Sequence, residues 1–158
     1  MKKSIRRVLP LAGVLAMGAL SMPMAQADIS VEDLHGVLER SAEYGFTYYK
    51  DIEIDDDGSA EIEGWLAGNA MAKVTFSAQG AVVEERTRGE RERKHSMQQS
   101  DVRAAVQAAA GEGLTRVDDV QINRKNVIEV EGQTADGKDI DVRVQLGSFD
   151  IVKVDKDD

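Results

Sequence analysis

Residues 51–64 read DIEIDDDGSAEIEG, a crowd of carboxylates around one central glycine, which is the composition of a calcium-binding loop. Such a loop works through spacing. With Gly58 at its sixth position, Glu53, Asp55 and Asp57 fall at the first, third and fifth positions, where oxygen ligands belong. The twelfth position must supply a bidentate carboxylate, and it is Gly64. The flanking residues alternate apolar and polar as strands do, and helices are what a calcium loop of this type needs. The stretch therefore reads as a solvated hairpin turn.

Other chemistry is scarce. The chain has no cysteine and only two histidines, His35 and His95, so no Cys/His nucleophile and no cysteine-based zinc site can be assembled. Neither histidine lies in a segment shaped like a catalytic elbow, and both read as solvated residues. The many carboxylates could pair as the acids of a hydrolase, but exposed strand positions account for them in a chain this acidic. No catalytic residue, cofactor or metal site is expected.

The N-terminus bears on where such a protein works. Lys2, Lys3, Arg6 and Arg7 precede an apolar run from Val8 to Leu20, and Ala25-Gln26-Ala27 supplies a small-x-small cleavage site. This is the pattern of a secretory signal peptide, with cleavage expected after Ala27 and a periplasmic or secreted product. The apolar run is short for a membrane span, which takes about 20 residues, so no stable membrane insertion is expected after cleavage. The absence of cysteine excludes a lipid-anchored lipoprotein and a disulfide framework. Removing residues 1–27 leaves 16 basic and 29 acidic side chains, a net charge of −13. Nucleic acid and anionic lipid are disfavoured as partners by that charge.

Behind the turn lies a repeat. With residue 31 laid on residue 99, the segment 31–54 falls on 99–122 without a gap, pairing Asp33 with Asp101, Gly45 with Gly113, Asp51 with Asp119 and Ile54 with Ile122. In the same alignment EIEG (61–64) falls on EVEG (129–132), and Val74-Thr75-Phe76 on Val142-Arg143-Val144. Each copy opens with an amphipathic helix: Leu34, Val37, Leu38 and Ser41 in the first, Val102, Ala105, Val106 and Ala109 in the second, follow one helical stripe. Ser30, and Ser96 or Ser100, are the expected N-caps, and Gly45 and Gly113 the expected stops. Beyond the glycines the period becomes two, through Ile52 and Ile54, Ala60 and Ile62, Ala72, Val74 and Phe76, then Val82 or Val83. Turn residues at 57–58, 68–69, 79–80, 125–126, 136–137 and 147–148 separate these strands.

The order of these features resembles the PepSY family, in particular small exported proteins with tandem PepSY-like units. The resemblance is carried by the helix ending Tyr44-Gly45-Phe46, the DIEI strand, the DDDG turn, EIEGW (61–65) and AKVTFSAQGAVVEE (72–85). In the second copy Gly113-Leu114, EVEG and ADGKDIDVRV (135–144) carry it. Similar tandem units occur in the fold of β-lactamase inhibitory proteins, whose open sheet face grips an enzyme. The resemblance implies a non-enzymatic domain that inhibits or chaperones peptidases, and it brings no catalytic residues.

The sequence thus predicts an α+β fold of two tandem repeats, each an N-terminal helix packed on a small antiparallel β-sheet of about four strands. Residues 28–90 and 91–158 would be the two units, and the connection of only about ten residues leads us to expect that they pack or share a sheet. The expected function is an exported module that binds a protein partner in the envelope, such as a peptidase. The alternative is a divalent-cation or small-ligand binding protein using its acidic turns. If Ile62 faces the helix, then Glu61, Glu63 and Trp65 face the other way, joined by Glu53, Lys73 and Thr75. These six form the candidate partner-binding face, with Trp65 either its exposed anchor or peripheral core. Residues 85–95, ERTRGERERKH, read as a solvated strand extension leading into the second helix, or as a docking strip for an acidic partner.

Overall fold

The computed structural model describes residues 29–157, and the expected signal peptide lies outside them. Strand β1 (Ile29–Ser30) leads into helix α1 (Leu34–Tyr44), followed by β2 (Phe46–Ile54), β3 (Ala60–Leu66), β4 (Ala70–Phe76) and β5 (Val82–Glu90). Helix α2 (Gln99–Gly111) then precedes β6 (Leu114–Ile122), β7 (Val127–Thr134), β8 (Asp139–Gln145) and β9 (Ile151–Lys156).

Both helices bury the stripes that their spacing dictates: Leu34, Val37, Leu38 and Ser41 on α1, Val102, Ala105, Val106 and Ala109 on α2. Ser41 is the polar member of its stripe, and its hydroxyl is satisfied by the Leu38 carbonyl and the Tyr49 hydroxyl, both at 2.8 Å. Each helix ends where a glycine takes positive φ, +124° at Gly45 and +109° at Gly113, a conformation that a Cβ would strain. The N-termini differ from expectation. Asp33 is the N-cap residue of α1, its N–H held by Ser30 Oγ at 3.1 Å. Gln98 caps α2, with its N–H donating to Asp101 Oδ2 at 2.7 Å, in place of Ser96 or Ser100.

The strands do not divide into two small sheets. They form one nine-stranded antiparallel sheet in the order β5-β4-β3-β2-β6-β7-β8-β9, with β1 added against β6. The expected architecture of two helix-plus-small-sheet repeats is corrected by a single contact, β2 against β6, in which Asp51, Ile52 and Glu53 face Gln121, Val120 and Asp119. A four-stranded sheet ending at β2 would leave that strand's inner edge unpaired. Joining the two inner edges removes both, and it merges the stripes of α1 and α2 with Ile52, Ile62, Val74, Val120, Val130 and Val142 into one hydrophobic core. The edges move outward to β5 and β9. Val82 and Val83, one of which was expected to face inward, are both exposed there, Val83 by 67%.

Strands β2 and β6 share a distortion. Register shifts fall between Phe46 and Tyr48 and between Tyr49 and Asp51 in β2, and at the matching places in β6, between Leu114 and Arg116 and between Val117 and Asp119. These bulges let Phe46, Tyr49, Ile52 and Ile54 all reach the core, as do Leu114, Val117, Val120 and Ile122. The bulged backbone presses on the next strand, where a Cβ on Gly64 would run into the Tyr48 carbonyl and one on Gly132 into that of Arg116. That is the physical reason for the glycine in EIEG and EVEG.

Candidate functional site

Because both helices cover one face, the other face displays the alternate residues, and strand register orders them into rows. One row runs Glu84, Thr75, Glu61 and Glu53 across β5, β4, β3 and β2, then Asp119, Glu131, Asp141 and Asp155 across β6 to β9. Only Thr75 interrupts the carboxylates. At the usual spacing between strands the row extends roughly 30–35 Å. The adjacent row carries Arg86, Lys73, Glu63 and Asp51, then Gln121, Glu129, Arg143 and Lys153, with its cations at the two ends.

Five of the six predicted residues, Glu53, Glu61, Glu63, Lys73 and Thr75, lie in these rows. Lys73 is paired with Glu61, and Thr75 Oγ1 lies 3.5 Å from Glu61 Oε2. Glu63 meets Lys50 at 3.3 Å and Arg88 at 3.9 Å. Trp65 is on the same face but is only 3% exposed, so it is no surface anchor. Its indole Nε1–H donates to the Arg91 carbonyl at 3.1 Å. The cause is the segment after β5, which crosses the ends of β3 and β2. There the Arg93 guanidinium sits 4.1 Å from the centre of the Tyr48 ring, and Met97 joins the inner edge of β2 by two backbone hydrogen bonds to Tyr49 at 2.8 Å. Residues 85–94 are all exposed, the first six as the end of β5, and from Arg91 onward the segment lies across the first half of the sheet as a strap.

At the junction of β2 and β6 the carboxyls of Asp51 and Asp119 crowd one another, and the Gln121 side-chain amide donates to Asp119 Oδ2 at 3.3 Å. Burial and the charge of Asp51, with further repulsion from Glu131 and Glu53, push Asp119 up to about 8. Asp51 is raised as well, mainly by burial. Farther along, Asp118, Glu131, Asp139, Asp141, Asp155 and Asp157 surround a recess of about 290 Å³. Burial raises Asp118 and Glu131 above the usual carboxylate range, and neighbouring Asp139 and Asp141, respectively, add to it. The sequence signal for both groups was present in the strand alternation, but only the register brings the side chains together.

The acidic turn is self-sufficient. Asp57 Oδ1 accepts the Ser59 N–H at 2.8 Å, and Asp55 Oδ2 takes the Ser59 hydroxyl at 3.0 Å. Among the described residues, no three His, Cys, Asp or Glu side chains are arranged to hold a metal ion. His35 is exposed on α1, and His95 Nδ1 pairs with Asn126 Oδ1 at 2.8 Å. No helix among the described residues is long and apolar enough to cross a membrane.

No protein-family profile matches the chain. No curated protein matches it either. Among solved structures, the chain is similar to a candidate lipoprotein from Clostridium difficile 630, at 16% identity and a TM-score of 0.47, over 82% of this chain and 94% of that one.

Proposed function

We propose that this protein is an exported, non-enzymatic interaction module that binds a protein partner in the periplasm or outside the cell through the open face of its sheet. The carrying observation is the row of carboxylates that spans that face from Glu84 to Asp155. Like charges on neighbouring strands disfavour the sheet, so a cationic partner laid across them would relieve repulsion as well as form ion pairs. The pattern that resembles PepSY units supports the same reading and points to a peptidase as the class of partner. The signal-peptide pattern of residues 1–27 supports export.

The test is affinity capture from the producing cell's envelope fraction with the mature chain and with its Glu53→Gln, Glu61→Gln, Glu131→Gln variant. The wild type should retain a partner that salt releases, and the variant should retain about tenfold less of it while melting normally. Equal capture by the two proteins would remove the open face from the function. Mass spectrometry of the captured protein then decides whether it is a peptidase.

A further inference from the structure

Resting on that reading, the two halves of the open face differ in what already lies on them. In the first half the acids are met from within: Lys50 and Arg88 reach Glu63, Lys73 reaches Glu61, and the strap carries Arg91 and Arg93 across Trp65 and Tyr48. The strap itself rests on the two aromatic rings, through the Arg91 carbonyl and the Arg93 guanidinium, while strand residues neutralise the acids beside it. In the second half the corresponding positions of the repeat have changed sign. Lys50 becomes Asp118 and Lys73 becomes Asp141, and where Arg86 faces Lys73 in the first half, Asp155 faces Asp141 in the second. Glu131 keeps the place of Glu63, and the recess of about 290 Å³ opens beside it. The cations nearby are Arg116 beside Asp118, Arg143 on Asp141 at 3.0 Å, and Lys153 on Asp155. Even so, Asp141 Oδ1 is shielded from solvent and has no hydrogen-bond partner.

We infer that the second half of the open face, over β7, β8 and β9, is the docking surface, and that its occupant is an extended, arginine-rich segment of the partner protein. Charge complementarity names the chemistry, and the line of carboxylates from Glu131 through Asp141 to Asp155 across three strands calls for an extended occupant. Arginine suits it better than lysine, because its planar fork can satisfy two carboxylate oxygens at once.

A synthetic peptide of residues 84–95, EERTRGERERKH, and a second with its arginines replaced by glutamine serve as probes against the isotope-labelled mature chain. The arginine peptide should shift the amide signals of Glu131, Asp139, Asp141 and Asp155 most. Its Kd should rise about tenfold or more in the Asp139→Asn, Asp141→Asn, Asp155→Asn variant and stay within about twofold in the Glu39→Gln, Glu43→Gln variant, whose changes lie on the exposed side of α1. The glutamine peptide should not bind. Shifts centred on Glu61 and Glu63, equal binding of both peptides, no binding at low salt, or a concentration-dependent dimer in place of peptide binding would each overturn the inference. If the peptide fails while envelope capture still depends on Glu53, Glu61 and Glu131, this inference falls and the broader reading stands; if both fail, both fall.

Discussion

Strands β2–β5 and β6–β9 follow the same order, share their bulges and their buried residue types, and differ on the open face. β2 and β6 fill matching spans of the repeat, Phe46–Ile54 and Leu114–Ile122, carry the same two bulges, and are each pressed by a glycine on the next strand. On the buried side the substitutions are conservative, with Ile52, Ile62 and Val74 answered by Val120, Val130 and Val142. On the open side, Trp65 is answered by Gln133, Lys50 by Asp118 and Lys73 by Asp141. The difference teaches where the constraint lies. Packing against the helices holds the backbone to one solution, while the solvated face is free to specialise.

The sharpest test of that contrast is the pair Trp65 and Gln133. Trp65 is buried beneath the strap and donates a hydrogen bond to it, so Trp65→Ala should cost about 3–5 kcal/mol of folding free energy. Gln133 occupies the same strand position half exposed, and Gln133→Ala should stay within about 0.5 kcal/mol. Urea melts of the two variants decide it. A mild Trp65→Ala would mean that the strap is not seated on the ring.

The glycines probe what the halves share. Gly64→Ala and Gly132→Ala each force a methyl group against a backbone carbonyl across the bulge, and each should cost about 1–3 kcal/mol. The comparison predicts similar losses in both. A variant that melts like the wild type in one half only would show that the bulges are not equivalent.

How much of this was legible in the sequence follows from which face a residue serves. The helix stripes, the terminating glycines and the turns were readable, because burial and positive φ leave marks in residue type. Gly58, Gly68, Gly80, Gly137 and Gly147 all take positive φ at the turns where they were expected. That the copies would pack or share a sheet followed from the short link between them, but the joining of β2 to β6 in particular was not readable. It rests on three residue pairs, and it sets Glu53 opposite Asp119, a like-charge neighbour that local pairing rules disfavour. The burial of Trp65 was hidden for a related reason. What covers it is a charged segment with no apolar period, so neither pattern nor composition announced the contact.

That junction yields the smallest predicted effect and the most direct check on how the halves meet. Asp119 is raised from an ordinary 3.8 to about 8 by burial first and then by the charge of Asp51, with Glu131 and Glu53 adding to the repulsion. Lys50, Glu63 and Lys73 face Asp51 from its own strand and the two beyond it. The folded state thus holds a proton on Asp119 that the unfolded chain gives up near pH 4, so this group's contribution to stability falls as pH rises from about 4 to about 8. Asp119→Asn keeps a donor for Asp51 and removes the charge. After allowance for solvent reaching the pair, the variant should be more stable than the wild type by about 1 kcal/mol at pH 8, and the two should converge near pH 4. Thermal melts across that range measure the difference directly. A variant that gains nothing at pH 8 would mean that Asp119 is not raised, and that β2 and β6 meet without electrostatic cost.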